Sequence, residues 1–236
     1  MTVKISLEEL VETGAHFGHQ TRRWNPKMEE YLYGQENGVH IFDLTKTKPL
    51  MEEALEFLTK SVSEGKIVLL LGTKKQIKDK VAEIAQKVSV PYVNERWLGG
   101  TISNFEQMKK SIRKMEEMRS NMTSGAYAKY TKKERLLIDR EIARLSRFFE
   151  GIKSLTKVPD ILFVIDTKRE AAAVREANAG KVKVIGIVDS NADPDPVDYP
   201  IPMNDDASKA LEYVLSLVAE AIEDGKKKIK KVEPEK

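Results

Sequence analysis

Residues 67–71, with the sequence IVLLL, are apolar at every position and lie between Gly65 and Lys66 on one side and Gly72 on the other. A strand that is apolar on both faces must be covered on both faces, as a parallel strand is between two layers of helices. Residues 161–165 repeat the pattern, and residues 182–188 form a further predicted strand in which Lys183 is the one charged residue. Because parallel strands need long crossover connections, the pattern predicts an α/β fold with a doubly wound parallel sheet.

Helical patterns fill the intervals between these strands. We predict helices from an N-cap at Thr45 to about Glu64, from the turn at 72–76 to about Val88, over 168–177, and after a cap at 204–206. Short strands are predicted at 39–43 and 90–93. This alternation favours right-handed crossovers with helices on both faces of the sheet.

Residues 104–157 interrupt the alternation with two amphipathic helices. Their apolar residues recur at spacings of three, four or seven, at Phe105, Met108, Ile112, Met115 and Met122, and then at Ile138, Ile142, Leu145, Phe149 and Ile152. This spacing predicts the seam of an antiparallel coiled-coil hairpin. With ~1.5 Å per residue and about 20 residues per arm, the hairpin would extend ~30 Å from the body. Arg119 occupies a seam position, so we expect the pairing to loosen towards the tip.

Charge is distributed unevenly along the chain, although the net charge is only +3. Residues 104–157 hold 14 Lys/Arg and 7 Asp/Glu, whereas residues 158–223 hold 6 and 13. Residues 1–103 are balanced at 14 of each, and the tail from 224 adds 6 basic and 3 acidic residues. A local excess of Lys/Arg on a projecting element indicates contact with nucleic acid, so the hairpin is the first candidate for that role.

Residues 14–30 have neither helical nor strand periodicity, and we predict an ordered loop that follows a short helix capped by Ser6 and Glu9. Within it, the sequence RRWNPK at 22–27 places three cations around an aromatic ring. This combination suits phosphate pairing together with stacking on an exposed base. A Trp24 buried against the sheet, with solvated arginines, is an equally good interpretation, and the two can coexist.

Three further clusters offer weaker chemistry. The helix start at 72–75 could receive a phosphate, but it contains a single Gly, and we favour a capped helix start. His16 and His19 have the spacing of metal ligands but lack an obvious third ligand, so we expect loop-fixing hydrogen bonds and no metal. The acidic stretch 189–198 lacks the Gly and the terminal Glu of an EF-hand loop, and we predict a rigid loop. An acidic surface that contacts a basic protein neighbour stays open as a further interpretation of this stretch.

Composition narrows the class of protein. The chain has no Cys, so disulfides and thiolate metal sites are excluded and a reducing compartment is expected. No apolar run approaches the ~20 residues that span a bilayer. We therefore expect a cytosolic protein with a discontinuous α/β domain at 1–103 and 158–225, a basic hairpin at 104–157 and a flexible basic tail at 226–236.

Five segments of the sequence occur in the order of a known family. They are GAHFGHQTRRWNPKM at 14–28, LLGTKKQ at 70–76, ERWLGGTISNF at 95–105, PDILFVIDTKREAAAVREA at 159–177 and GIVDSNADPDPVDYPIPMNDDA at 186–207. Together they closely resemble the bacterial family of ribosomal protein two of the small subunit, over essentially the whole chain from Ser6 to Gly225. The resemblance implies a flavodoxin-like parallel sheet with an inserted helical hairpin, no enzymatic activity and no cofactor.

The resemblance also implies a place on the cytoplasmic ribosome, binding to small-subunit ribosomal RNA, and contacts with the third, fifth and eighth small-subunit proteins, with no membrane and no second copy of the chain. The first small-subunit protein docks on this family in some bacterial lineages, and we keep it as a further candidate partner. Trp97, Gly99 and Gly100 are implied to form the corner from which the hairpin departs. The predicted RNA-binding residues are Arg22, Arg23, Trp24, Asn25 and Lys27 in the N-terminal loop, Arg96 at the corner, and Lys109, Lys110, Arg113, Lys132, Lys133, Arg135, Arg140, Arg144 and Arg147 on the hairpin.

Two other functions remain compatible with the residues. A nucleotide-using or phosphate-using α/β enzyme would employ the segments 72–75 and 189–198 and would bind nucleotides saturably. A protein scaffold would use the hairpin as a coiled coil for a partner, and its RNA affinity would depend little on salt. An RNA-binding hairpin predicts a steep loss of affinity with salt instead.

Overall fold

The computed structural model describes residues 4–232, and in this range the chain forms eight strands and seven α-helices. The strands are β1 (Phe17–Gln20), β2 (Leu32–Glu36), β3 (Val39–Phe42), β4 (Val68–Leu71), β5 (Tyr92–Val93), β6 (Ile161–Ile165), β7 (Lys183–Val188) and β8 (Tyr199–Pro202). The helices are α1 (Leu7–Glu12), α2 (Leu44–Ser63), α3 (Lys78–Lys87), α4 (Phe105–Thr123), α5 (Lys132–Phe149), α6 (Ala171–Ala179) and α7 (Ser208–Val232). Short 3₁₀ helices lie at Thr21–Arg23, Pro26–Tyr31 and Glu150–Ile152.

Strands β4 to β8 form a parallel sheet in the order β5-β4-β6-β7-β8. Counted along the chain within this sheet, the order is 2-1-3-4-5, which is the flavodoxin-like arrangement. Every residue of β4 and β6 is buried, as their apolar runs predicted. The predicted doubly wound parallel sheet is confirmed.

Helix α2 starts at a different cap from the predicted one. Asp43 is the N-cap residue, and its carboxylate accepts a hydrogen bond from the backbone N–H of Thr45 at 3.0 Å. Both residue types cap helices, but the charged Asp43 side chain also interacts favourably with the positive end of the helix dipole. The helix then packs along α7 on one side of the sheet.

The N-terminal segment 14–30 is more regular than predicted. Strand β1 and two 3₁₀ helices lie where a loop was expected, and β1, β3 and β2 form a three-stranded antiparallel sheet in that order. The register of both strand pairs shifts at an irregularity, so the side chains do not alternate regularly along the sequence. Strand β8 was also missed, because it contains Pro200 and Pro202, which a sheet tolerates only at an edge.

Helices α4 and α5 pack against each other as the predicted hairpin. Seven of the ten predicted seam residues are buried, namely Phe105, Met108, Ile112, Met115, Ile142, Phe149 and Ile152. The other three, Met122, Ile138 and Leu145, are half-buried. At the seam position of Arg119, the guanidinium donates to Ser146 Oγ at 2.7 Å and to Glu150 Oε2 at 2.9 Å. A polar contact between the two arms therefore replaces the apolar one at this level.

Helix α7 continues seven residues beyond Gly225, so residues 226–232 are helical where we expected the start of a tail. Glycine is typical of a helix end, but Gly225 has a different role here. A Cβ at this position would lie 2.7 Å from Val62 Cβ and 2.8 Å from the Thr59 carbonyl oxygen, so the glycine allows α7 to pass close to α2. Residues 233–236 of the expected tail lie outside the described residues.

Candidate nucleic-acid interface

The outer face of α5 carries a line of cations. Lys133, Arg140 and Arg147 follow one another at intervals of seven residues, and all three are exposed. With 3.6 residues per turn, this face of the helix lies opposite the buried Ile142 and Phe149. The apolar seam and the basic stripe therefore occupy opposite sides of the same helix.

More than half of the predicted RNA-binding residues are exposed cations that form no ion pair with any residue in the range 4–229. They are Arg23, Arg96, Lys110, Arg113, Lys132, Lys133, Arg135 and Arg140. Arg22 is also exposed, and its Nε donates to the neutral side chain of Gln20 at 3.0 Å. The positive charge of these nine residues is therefore not compensated within the described part of the chain.

Four other predicted residues have their charges balanced internally. Lys27 is paired with Asp193 at 3.0 Å and with Asp195. Arg144 donates to both carboxylate oxygens of Glu141, at 2.8 and 2.7 Å. The remaining two pairs are Lys109 with Glu106, at 3.5 Å, and Arg147 with Glu95, at 2.7 Å. Charge counting along the sequence did not distinguish these cations from the uncompensated ones.

The N-terminal loop is fixed to the body at its centre. The Asn25 backbone N–H donates to the Ser190 carbonyl at 2.7 Å, and the Asn25 side chain accepts from the Lys27 backbone at 3.1 Å. Trp24 is half-buried, with its ring 4.9 Å from that of His40. Trp24 thus anchors the loop while Arg22 and Arg23 face solvent, and the contact of these residues with RNA stays a prediction.

Glu176 organises the junction between body and hairpin, and sequence reasoning did not find it. Its carboxylate accepts hydrogen bonds from Trp97 Nε1, from the Ile102 backbone and from both the backbone and the hydroxyl of Ser103, all at 2.9 Å. Burial would raise the pKa of Glu176, but these four donors lower it below its ordinary value. No local sequence pattern marks this residue, because its partners lie more than 70 positions away.

The corner also depends on one of its two adjacent glycines. Gly100 has a φ of +94°, which disfavours any residue with a Cβ. A Cβ at Gly99 would meet no atom within 4 Å, so no close packing requires a glycine at this position. Trp97 is buried, whereas Arg96 next to it is exposed.

Glu95 forms two ion pairs, and the one with Arg147 joins the hairpin to the body. One carboxylate oxygen accepts from Lys78 Nζ at 2.7 Å, and the other accepts from Nε and Nη2 of Arg147 at 2.9 and 2.7 Å. The hydrogen bond from Lys78, and after it the one from Arg147, lowers the pKa of Glu95 below its ordinary value. Arg147, predicted as an RNA contact, thus also holds the base of α5 against the body.

The crevice at the carboxyl ends of β4 and β6, where this fold places ligands, is filled by the chain itself. Lys74 is buried, and its Nζ lies 3.0 Å from Asp166, 2.6 Å from Asp205 and 2.8 Å from Asp206. Burial alone would lower the pKa of Lys74, but the three carboxylates raise it above its ordinary value. The ammonium is therefore fully engaged and is not presented to a phosphate.

The single glycine of this segment has a packing role. A Cβ at Gly72 would lie 2.9 Å from Val81 Cγ2 and 3.1 Å from Ile165 Cδ1, so the glycine brings the end of β4 against α3 and β6. Next to it, the Thr73 hydroxyl donates to the buried Glu170 carboxylate. These contacts favour a packed turn over a phosphate loop, but the predicted cap is wrong, because α3 begins only at Lys78 and has no side-chain cap.

A second group of potential ligands adjoins Lys74. His19, Asp205 and Asp206 each offer an atom, and the three atoms lie within 4.8 Å of one another, whereas His16 is not part of the group. Lys74 already supplies a positive charge to both carboxylates. Nδ1 of His19 lies 2.9 Å from the buried Asp189 carboxylate, whose hydrogen bond raises the pKa of His19. Lys74 and His19 already interact with the carboxylates of this group, so these potential ligand atoms do not require a metal ion.

The acidic stretch 189–198 makes contacts within the chain. Besides the pairs with Lys27, the Asp198 carboxylate accepts from Lys183 Nζ at 2.5 Å and from the Val184 backbone at 2.9 Å. Asp189 is completely buried. The expected acidic surface for a basic neighbour is thus reduced by internal pairing, and the stretch instead positions the N-terminal loop.

Comparison with known proteins covers nearly the whole chain. The model of a protein family described as Ribosomal protein S2 matches residues 10–225. The small ribosomal subunit protein uS2 of Coprothermobacter proteolyticus is 44% identical over 222 residues, which cover 94% of this chain and 83% of that protein. The uS2 protein of Mesorhizobium japonicum is 46% identical over 220 residues, which cover 93% of this chain and 84% of that protein. The uS2 protein of Salinispora tropica is 46% identical over 222 residues, which cover 94% of this chain and 75% of that protein.

Within residues 4–232, no helix has the length and apolar character needed to cross a membrane.

Proposed function

The chain belongs to the ribosomal protein S2 family, whose members are structural, non-enzymatic proteins of the small ribosomal subunit, and on this basis we propose that it binds ribosomal RNA through two surfaces. The first surface consists of the exposed, unpaired cations of the hairpin, and the second is the exposed pair Arg22 and Arg23 of the N-terminal loop. Binding at both surfaces would support assembly of the subunit and translation.

The uncompensated cations of the hairpin are the observation that carries this proposal. Lys133, Arg135 and Arg140 are exposed and have no acidic partner among the described residues. Pairing with RNA phosphates would release condensed counterions, which makes binding favourable and sensitive to salt. The buried seam keeps the two arms together, so these charges are arranged before RNA is met.

A contact with protein neighbours is proposed for the same arm. Leu136 is 49% exposed and Leu137 is 54% exposed, and both lie among the cations of α5. Adjacent exposed leucines suit a protein contact better than a phosphate contact. The third, fifth and eighth small-subunit proteins, and the first where it docks, are the partners that the family suggests.

The proposal is tested by salt titration with a transcript of small-subunit ribosomal RNA. The triple variant Lys133→Gln, Arg135→Gln, Arg140→Gln should bind more weakly, and its plot of log affinity against log salt should be shallower by roughly 0.9 for each phosphate that the variant no longer neutralises. The matched control is Lys60→Gln, Lys87→Gln, Lys209→Gln, which removes three exposed charges from the body.

Equal slopes for the hairpin variant and the wild type would contradict RNA binding by the hairpin and would favour the protein-scaffold interpretation. Equal reductions of affinity in the hairpin variant and the control would show that only net charge matters. A separate variant, Arg22→Gln with Arg23→Gln, tests the loop, and its effect should add to that of the hairpin variant because the two sites are distinct.

A further inference from the structure

A cavity of about 390 Å³ lies beside the filled crevice, one strand further along the sheet. It is enclosed by the segment after β6, the start of α6 and the loop after β7, and Asn25 of the N-terminal loop contributes to its wall. The volume falls within the ~300–1,000 Å³ of typical ligand sites. The cavity therefore adjoins one of the two surfaces proposed to meet RNA.

Two residues that line this cavity each carry a buried polar atom without a partner in the described part of the chain. Thr167 is only 5% exposed, and its Oγ1 makes no hydrogen bond to the described residues. The Oδ1 atom of Asn191 is likewise buried and unpaired. Buried polar groups are rarely left without a hydrogen bond. His16 Nδ1 and His40 Nε2 also lack one within residues 4–232, but Thr167 and Asn191 adjoin a cavity that a molecule can enter.

Two cations of the cavity wall have no acidic partner among the described residues. Lys168 and Arg175 both line it, both are exposed, and neither forms an ion pair with another described residue. Helix α6 begins here without a side-chain cap, so its first amides add to the positive potential. The one carboxylate in the wall, Asp193, shares the cation Lys27 with Asp195.

Part of the cavity wall is apolar. Val174, Ala192 and Pro196 form a surface next to the unpaired polar atoms. Cations and helix amides suit a phosphate, an apolar surface suits the face of a base, and a hydroxyl with an amide suits its edge. In the neighbouring crevice Lys74 is matched by three carboxylates, so of these two sites only the cavity presents free positive charge to a ligand.

We propose that this cavity binds one unstacked nucleotide of single-stranded RNA. Lys168, Arg175 and the start of α6 hold its phosphate, and the base lies on Val174 and Ala192 with its edge at Thr167 and Asn191. The inference rests on the proposed RNA-binding function and adds to it a site that reads a single extruded nucleotide.

The test uses the full-length protein with labelled methyl groups in Val and Ala. Titration with an oligoadenylate or oligouridylate trinucleotide should shift the methyl resonances of Val174 and Ala192 saturably. The variant Lys168→Gln with Arg175→Gln should weaken this binding by roughly tenfold. The control Lys87→Gln with Lys209→Gln removes the same charge elsewhere and should change it by less than about twofold.

Thr167→Val provides an independent measurement. Removing an unpaired buried hydroxyl should leave the Tm unchanged or raise it, while trinucleotide binding weakens by roughly threefold. A lower Tm would show that the hydroxyl has a partner within the protein and would remove the main support for the site.

Each of the following outcomes would overturn a stated part of the proposal for the cavity. Unshifted methyl resonances, or equal reductions of affinity in both charge variants, would refute the site while leaving RNA binding by the hairpin intact. Tighter binding of adenosine 5′-monophosphate than of either trinucleotide would identify a free nucleotide as the ligand instead of RNA. Displacement of the trinucleotide by inorganic phosphate at equal concentration would show that the base is not recognised. If the triple hairpin variant binds RNA more weakly while Lys168→Gln with Arg175→Gln binds it as the wild type does, the cavity site is refuted and the proposed RNA-binding function stands.

Discussion

Lys74 donates to Asp205 twice, to the carboxylate at 2.6 Å and to the backbone carbonyl at 2.8 Å. Both residues are buried at the carboxyl edge of the sheet, where related folds hold a ligand. Two further carboxylates, those of Asp166 and Asp206, share the same ammonium. The position that a cofactor phosphate would take in other doubly wound proteins is thus occupied by a structural ion cluster.

Removing the lysine should destabilise the protein strongly. Lys74→Met leaves three carboxylates close together without a cation, and loss of one partner of a buried pair costs about 3–5 kcal/mol. The measurement is urea unfolding at neutral pH. Lys75→Met is the matched control, because Lys75 is exposed and should change the unfolding free energy by less than about 0.5 kcal/mol. Similar destabilisation in both variants would argue against the cluster.

Stability should fall as the pH rises towards neutrality. Burial and the charges of Asp189 and Asp166 raise the pKa of Asp205 from 3.8 to about 7. The hydrogen bond to Asp189 raises the pKa of His19 above 6.5. Both groups hold protons more strongly in the folded state than in the unfolded state, so the folded state loses this advantage as they deprotonate. We expect the unfolding free energy to decrease from about pH 5 to about pH 8.

Asp205→Asn tests the origin of this pH dependence. The amide does not titrate, so the decrease between these pH values should be smaller than in the wild type. Asp139→Asn on the exposed face of α5 should keep the wild-type profile. A wild-type stability that increases over this range would contradict the assignment.

Glu176→Ala should loosen the hairpin junction. The change removes the acceptor of four hydrogen bonds and leaves partly buried donors unpaired, which costs about 1–3 kcal/mol. Hydrogen exchange at the Ile102 and Ser103 amides should accelerate. Glu176→Gln keeps one acceptor oxygen and should have a smaller effect, and Glu220→Ala, an exposed change on α7, should have none. Unchanged exchange in Glu176→Ala would refute this role.

Arg140 and Arg147 lie on the same face of α5 but should respond differently to substitution. Arg140→Gln removes an uncompensated charge, so RNA affinity and its salt dependence should fall without loss of stability. Arg147→Gln breaks the pair with Glu95 and should lower the unfolding free energy by about 0.2–1 kcal/mol, the usual value for an exposed pair. Salt titration and urea unfolding of both variants distinguish the two roles, and identical behaviour would contradict the distinction.

The sheet and the hairpin were predictable because their signals are local. The apolar runs of β4, β6 and β7 and the spacing from Phe105 to Ile152 each reflect burial of neighbouring residues. Strand β8 and the small antiparallel sheet gave no such signal, since prolines interrupt the first and register shifts interrupt the second. Local patterns record burial only where the backbone geometry is regular.

The candidate site was predictable only in part. Sequence placed the cations on the hairpin and in the N-terminal loop, and the uncompensated ones remain the candidates for RNA contact. It did not reveal that Lys27 and Arg147 have acidic partners, because those partners are 166 and 52 positions away. Glu176 and the unpaired Thr167 were missed for the same reason, since long-range contacts define both.

The place of the hairpin in the chain has a consequence during synthesis. Strand β6 lies at the centre of the parallel sheet, between β4 and β7, yet it follows the whole of α4 and α5 in sequence. The contacts within the hairpin are local, whereas those of β6 with β4 join residues about 93 positions apart, and local contacts form sooner. We therefore expect the basic arm to fold as it emerges from the ribosome that makes it, before the body that will carry it is complete.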